Sequence, residues 1–225
     1  ERVNFETLLY QVLRSSGEQT SADTNLTSAF SVGTGVRVVN ADKLFSQGSI
    51  VSTDNALDLA VDGAGFFQVL LPDGRIGYTR NGTFSRNNEG ALTTSSGFVI
   101  QPEVVIPEDA QEINVSSDGV VSVQLPGAVE QEEVGQIELA EFQNRNGLQP
   151  IGESFYVETT ASGEAIIANP LEGSFGKLVQ GALESSNVSV VKELVDMIET
   201  QRAYEVNSKA ISSVDEMLRF ISNNL

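Results

Sequence analysis

Carboxylates are the residues of this chain with the most obvious chemical capacity. Asp58 and Asp62 fall on the same side of one predicted strand, and Glu138 and Glu141 flank another. Such a pair is sufficient for glycoside hydrolysis, which needs only an acid and a base or nucleophile. With 31 acidic residues in 225, however, such pairs arise by chance. The chain has no His and no Cys. That removes histidine general bases, serine–histidine triads, cysteine nucleophiles, thiolate zinc sites and disulfides. Gly33-Thr-Gly35 and Gly63-Ala-Gly65 begin like a dinucleotide fingerprint, but Val38 and Gln68 stand where the third glycine belongs. Neither motif opens a helix, so a phosphate has no helix N-terminus to rest on. Both read as turns. No catalytic, cofactor or metal residue is assigned.

The aromatic residues Phe66, Phe67, Tyr78 and Phe84 offer stacking surfaces for a sugar. Their more economical reading is core. Asn25-Leu-Thr27, Asn81-Gly-Thr83, Asn114-Val-Ser116 and Asn187-Val-Ser189 match a glycosylation acceptor pattern that matters only in a eukaryotic secretory pathway. The net charge of −18 argues against nucleic acid and against an anionic membrane surface as partners. No run approaches the roughly 18 apolar residues of a membrane span, so membrane insertion is not expected.

The elements that must position these side chains are of three kinds. The longest stretch without a helix breaker is Gly181–Leu225, which has no Pro and no further Gly. Within it Val190, Met197, Tyr204, Ile211, Leu218 and Leu225 fall seven apart, with Leu194 on the same side. From Tyr204 the series Tyr204, Asn207, Ile211, Val214, Leu218, Ile221, Leu225 alternates steps of three and four, an a/d seam with one polar position. A helix from Val188 onward is about 55 Å long at roughly 1.5 Å per residue. Asn187 or Ser189 is placed to cap it. At the other end Phe5, Leu8, Leu9, Val12 and Leu13 have the spacing of one helical face, which predicts a short N-terminal helix pairing with the C-terminal one. Ser15–Gly35 is small and polar and reads as an extended arm.

From Val36 to about Gln180 the chain alternates in short runs between Gly turns. Leu57–Val61, Phe66–Leu71, Ile113–Val115, Val120–Val123 and Val134–Phe142 are the strongest strands. Pro72-Asp-Gly74, Asn81-Gly82, Asn88-Glu-Gly90 and Asp118-Gly119 are the turns between them. The expected fold is therefore a mainly β central domain of short antiparallel strands, with a long C-terminal helix and a short N-terminal one. Its segments are 1–35, 36–180 and 181–225.

Glu184-Ser-Ser-Asn-Val-Ser-Val-Val-Lys-Glu-Leu-Val-Asp-Met-Ile-Glu-Thr-Gln-Arg-Ala-Tyr-Glu-Val-Asn-Ser-Lys-Ala-Ile211 closely resembles the C-terminal motif of the bacterial flagellar rod and hook family. Phe5–Gln11, Gly33–Arg37, Ser46-Gln-Gly48, Leu57–Val69, Leu71–Gly74, Tyr78–Phe84 and Ile151-Gly-Glu153 extend the likeness over nearly the whole chain. The long polar arm after Tyr10 is closer to the distal rod branch than to the hook branch. The resemblance implies a non-enzymatic, cofactor-free subunit, exported without a cleaved signal. It would stack helically with copies of itself and with other rod and hook subunits. The product is a hollow shaft that crosses the periplasm, transmits motor torque and turns inside ring bushing proteins. The terminal helices would line the inner tube, with Val190, Leu194, Met197, Tyr204, Asn207, Ile211, Val214, Leu218, Ile221, Leu225, Phe5, Leu8, Leu9 and Val12 as subunit contacts. The β domain would form the outer layer. Family members carry a further helix with an Asn-Asn-Leu-Ala-Asn type motif ahead of the position where this chain starts. That helix is the expected partner of the seam. Other readings of the same residues are a proximal rod or hook-type subunit, and an adhesive, sugar-binding β domain on a coiled-coil stalk.

Overall fold

A computed structural model describes residues 1–14, 19–21, 24–25, 29–127 and 131–223. Its first part corrects the expectation of an N-terminal helix. Phe5 lies in strand β1 (Arg2–Thr7) and Val12 in strand β2 (Tyr10–Arg14), with Leu8 and Leu9 in the break between them. The strands β3 (Gln19–Ser21), β4 (Thr24–Asn25), β5 (Phe30–Gly33) and β6 (Val36–Asp42) return along them. β1 pairs with β6, β2 with β5 and β3 with β4, all antiparallel. The register barely shifts from Arg2↔Asp42 to Ser21↔Thr24, so the described residues between 2 and 42 form one long hairpin. The Ser15–Gly35 arm lies in this hairpin as far as it is described.

The physical reason is competition. A helix of nine or ten residues is marginal alone. The return strand, rich in β-branched Val36, Val38 and Val39, satisfies every second backbone group and matches the pleat. A short apolar run reads equally well in either period. The hairpin is amphipathic. Asn4 donates to Asn40 and Asp42, and Arg37 pairs with Glu6 at 2.9 Å, while Phe5 stands opposite Val38 and Thr7 opposite Val36.

The body follows. Its largest sheet runs in the order 149–152, 155–157, 76–79, 66–70, 139–141, 166–168, with 100–101 also paired to 66–70. A meander of 112–115, 120–124 and 132–136 stands beside it. The turn of its first hairpin is Asp118-Gly119, where Gly119 takes the positive φ of +90° that the dipeptide predicts. Strand 177–180 pairs with 59–62, and 182–184 with 50–52, which ties the end of the body to its beginning.

Adjacent residues of a strand face opposite sides of a sheet. Phe67 accordingly enters the larger core with Leu59, Val61, Phe84, Ile100, Val121 and Leu139. Phe66 enters a second cluster with Tyr78, Phe142 and Leu148, to which Phe45 and Tyr156 are added from the rim. Burial, and then the charge of Glu158 beside it, push the Tyr78 phenol up to about 12. The fold thus favours the protonated phenol. Above the ordinary value near 10 the unfolded chain binds fewer protons than the folded one, so stability declines from about pH 10 to about pH 12. Tyr78→Phe removes this linkage. The melting temperature of the variant is expected to fall less steeply than the parent's between pH 10 and 11.5, and equal slopes would contradict it.

The chain ends in helix α1 (Val190–Asn223). Thirty-four residues at roughly 1.5 Å each make it about 51 Å long. Ser189 stands at its cap position, and its carbonyl accepts from Glu193 N–H. Asn187 is used differently, as described below. Among the described residues no helix is long and apolar enough to cross a membrane.

Candidate assembly interface

Three of the four carboxylates singled out in the sequence, Asp58, Asp62 and Glu141, are held in structural bonds. Asp58 is buried, and its two carboxylate oxygens accept from Thr53 Oγ1 at 2.7 Å and Asn55 Nδ2 at 3.0 Å. Asp62 accepts from Gln47 and pairs with Lys177 at 3.3 Å, and these bonds hold it below the usual carboxylate value. A glycosidase acid needs the opposite shift. Glu141 is bound by Arg145. Gly63 and Gly65 form a turn between strands, and their carbonyls accept from the Arg80 guanidinium at 2.9 and 2.7 Å. A phosphate cradle presents N–H groups instead. Phe66, Phe67, Tyr78 and Phe84 are all buried and present no face to a sugar.

The apolar surface left in solvent lies elsewhere. Every α1 residue from Val190 to Ser222 is exposed. On the expected seam, Val190 is 68 % exposed, Tyr204 75 % and Ile211 65 %, with Leu194, Met197, Val214, Leu218 and Ile221 close behind. Asn207 is exposed among them, and Leu225 lies outside the described residues. The N-terminal members are exposed too: Phe5, Leu8, Leu9 and Val12 belong to the hairpin, and they and the helix do not bury one another. The structure thus places the two sets on two separate exposed elements.

A second stripe escapes the heptad reading. Val191, Val195, Ile198 and Val206, at steps of four, three and eight, are all exposed. At about 100° per residue Val195 and Val206 stand roughly 140–160° from the neighbouring heptad positions, and Val191 and Ile198 about 100°, beside Leu194. The signal was present in the sequence, but a search for one seam passes over it. The helix also carries four basic residues, Lys192, Arg202, Lys209 and Arg219, and six acidic ones, Glu193, Asp196, Glu199, Glu205, Asp215 and Glu216, and Lys192, Asp196 and Glu199 form a polar arc beside the second stripe. A helix of this length with apolar side chains exposed on two sides is a surface made for contact.

Comparison with known proteins agrees with this geometry. The family model described as "Flagellar hook protein FlgE/F/G D1 domain" matches residues 60–123. The model described as "Flagellar basal body rod FlgEFG protein C-terminal" matches 179–225, which contains α1. The flagellar basal-body rod protein FlgG of Buchnera aphidicola subsp. Schizaphis graminum is 48% identical over 221 residues, covering 98% of this chain and 85% of that protein. FlgG of Caulobacter vibrioides is 44% identical over 223 residues, covering 99% of this chain and 85% of that protein. The flagellar hook protein FlgE of Salmonella typhimurium is 42% identical over 118 residues, 52% of this chain and 29% of the hook protein. An exposed two-sided helix and these likenesses together show that the chain belongs to the FlgE/F/G family of flagellar rod and hook proteins, non-enzymatic axial structural subunits of the flagellar basal body.

Proposed function

We propose that this chain is a subunit of the distal rod, which assembles helically with copies of itself and carries torque across the periplasm. The likeness to FlgG proteins runs the length of the chain, whereas the likeness to FlgE covers about half of it. That favours the rod over the hook. In this reading α1 lines the inner tube, and the β body, which follows the hairpin and ends with strand 182–184, forms the outer layer that faces the ring bushings. Neighbouring rod and hook subunits meet it end to end.

The observation that carries the proposal is the apolar helix exposed on two sides. Burying one apolar side chain stabilises by roughly 1.5–3 kcal/mol. A seam of Val190, Met197, Tyr204, Ile211 and Leu218 is therefore a strong drive to associate, and a second stripe extends that drive to another neighbour. Heterologous contacts whose rotation does not close generate a filament. Asn207 interrupts the seam and fixes its register.

The test is polymerisation read by sedimentation and negative-stain microscopy at rising concentration. The parent chain is expected to form filaments. Ile211→Asp with Leu218→Asp is expected to stay monomeric, with the melting transition of the β body unchanged. Filaments from the double variant would overturn the seam.

A further inference from the structure

The helix from Val190 to Ser222 is exposed along its length, so its direction is set chiefly where it leaves the body. Asn187, three residues before α1, does this with its side chain. Its amide nitrogen lies 3.0 Å from the carbonyl of Leu44, 2.9 Å from that of Ser46 and 3.0 Å from Ser46 Oγ. Those residues form the segment by which the hairpin returns to the body. The adjoining backbone is held as closely. Ser185 N–H donates to the Ser49 carbonyl at 2.8 Å, and Gly48 N–H donates to Glu184 Oε1 at 2.9 Å. Glu184 is also paired with Arg80 at 2.8 Å, and Arg80 binds the carbonyls of Val61, Gly63 and Gly65. Gly48 leaves no room for a side chain, since a Cβ there would lie 1.8 Å from the Ser185 carbonyl oxygen.

The same segment is anchored to the body. Phe45 meets Phe66 edge-on at 5.8 Å and Tyr156 at 5.4 Å, and Lys43 lies 5.2 Å from the Tyr156 ring centre. A continuous set of contacts therefore runs from the start of α1 through Asn187 to residues 44–46. From there it passes through Phe45 into the second core cluster.

We propose that residues 44–48 and 184–187 are a clamp that fixes the helix and the hairpin to each other and to the body, with Asn187 as its positioning residue. Both exposed elements then leave the body in one set relation, and a load on the helix passes to the β body through this clamp. That transmission of load rests on the reading of the chain as a rod subunit. The clamp itself is a property of a single chain.

The chain contains no Cys, so two introduced cysteines are unique labelling sites. Asn88→Cys in an exposed turn of the body and Lys192→Cys on the first turn of α1 carry spin labels, and pulsed electron resonance reads their distance distribution in the unpolymerised protein. The parent is expected to give one narrow peak. Asn187→Ala is expected to widen it at least twofold. Asn187→Asp, which keeps the size but has no N–H to donate, is expected to do the same. The melting temperature of the body is expected to stay constant in both. An unchanged width in the two variants, or a parent distribution as broad as theirs, would overturn the clamp. Because the reading needs no filament, failure of polymerisation and failure of the clamp are separate results.

Discussion

Gly82→Ala is expected to destabilise the β body by about 3 kcal/mol, the upper part of the range for overpacking. A chain of this size then melts roughly 6–12 °C lower, at 2–4 °C per kcal/mol. A Cβ at position 82 would lie 1.6 Å from the Leu59 carbonyl oxygen and 2.7 Å from its carbonyl carbon. The obstacle is backbone, which has no rotamer to change. The backbone in question is the start of strand 59–62, whose Leu59, Ala60 and Val61 are buried, and Leu59 N–H donates to the Gly82 carbonyl at 3.0 Å. The methyl group must push the two segments apart, opening the Asp58↔Thr83 bridge and the edge of the larger core together. Gly74→Ala is the control. It has a positive φ of +82° but nothing within 4 Å, so it costs only the local strain of about 1–2 kcal/mol. Thermal unfolding of both variants checks the contrast, and a Gly82→Ala protein that melts with the parent would refute the close approach.

Gly82 also shows how far a local signal reaches. Asn81-Gly82 has the composition of a turn, yet Gly82 is not among the positive-φ glycines and no turn is formed there. Its reason is a neighbour more than twenty residues away, which composition does not register. Asp118-Gly119 was legible because its requirement, a positive φ, is local. The same distinction separates the rest. The long helix is visible because nothing between Val188 and Leu225 breaks it, and the body because its Gly turns punctuate short strands. The hairpin at 2–42 was hidden because the partner of Phe5 is Val38, and short apolar spacing fits two periods. The Arg80–Glu184 pair and the reach of Asn187 to Leu44 span 104 and 143 residues, so only the folded chain brings them together. The acids were weighed as chemistry in the sequence. Their role was settled by partners such as Thr53, Asn55 and Lys177, which periodicity does not identify.

Val195→Asp, with the seam left intact, is expected to raise the concentration needed for filaments at least a hundredfold. The choice of site separates two architectures. A dimeric coiled coil buries a single stripe, and Val195 is not on it. A helix in the wall of a tube has neighbours on two sides and buries the second stripe of Val191, Val195, Ile198 and Val206 as well. An unpaired carboxylate forced into such a contact costs several kcal/mol per subunit. Each 1.4 kcal/mol is a factor of ten in the binding constant, so two such factors are a modest expectation. Lys192→Asp changes the charge by more, yet it stands in the polar arc beside the second stripe, and it is expected to polymerise near the parent concentration. Sedimentation of the parent, the seam variant, Val195→Asp and Lys192→Asp at equal ionic strength gives the answer. Loss of filaments in Val195→Asp alone means that the helix is packed on both sides. Normal filaments from Val195→Asp, with the seam variant still monomeric, would mean that one stripe suffices and that the helix is packed on one side only.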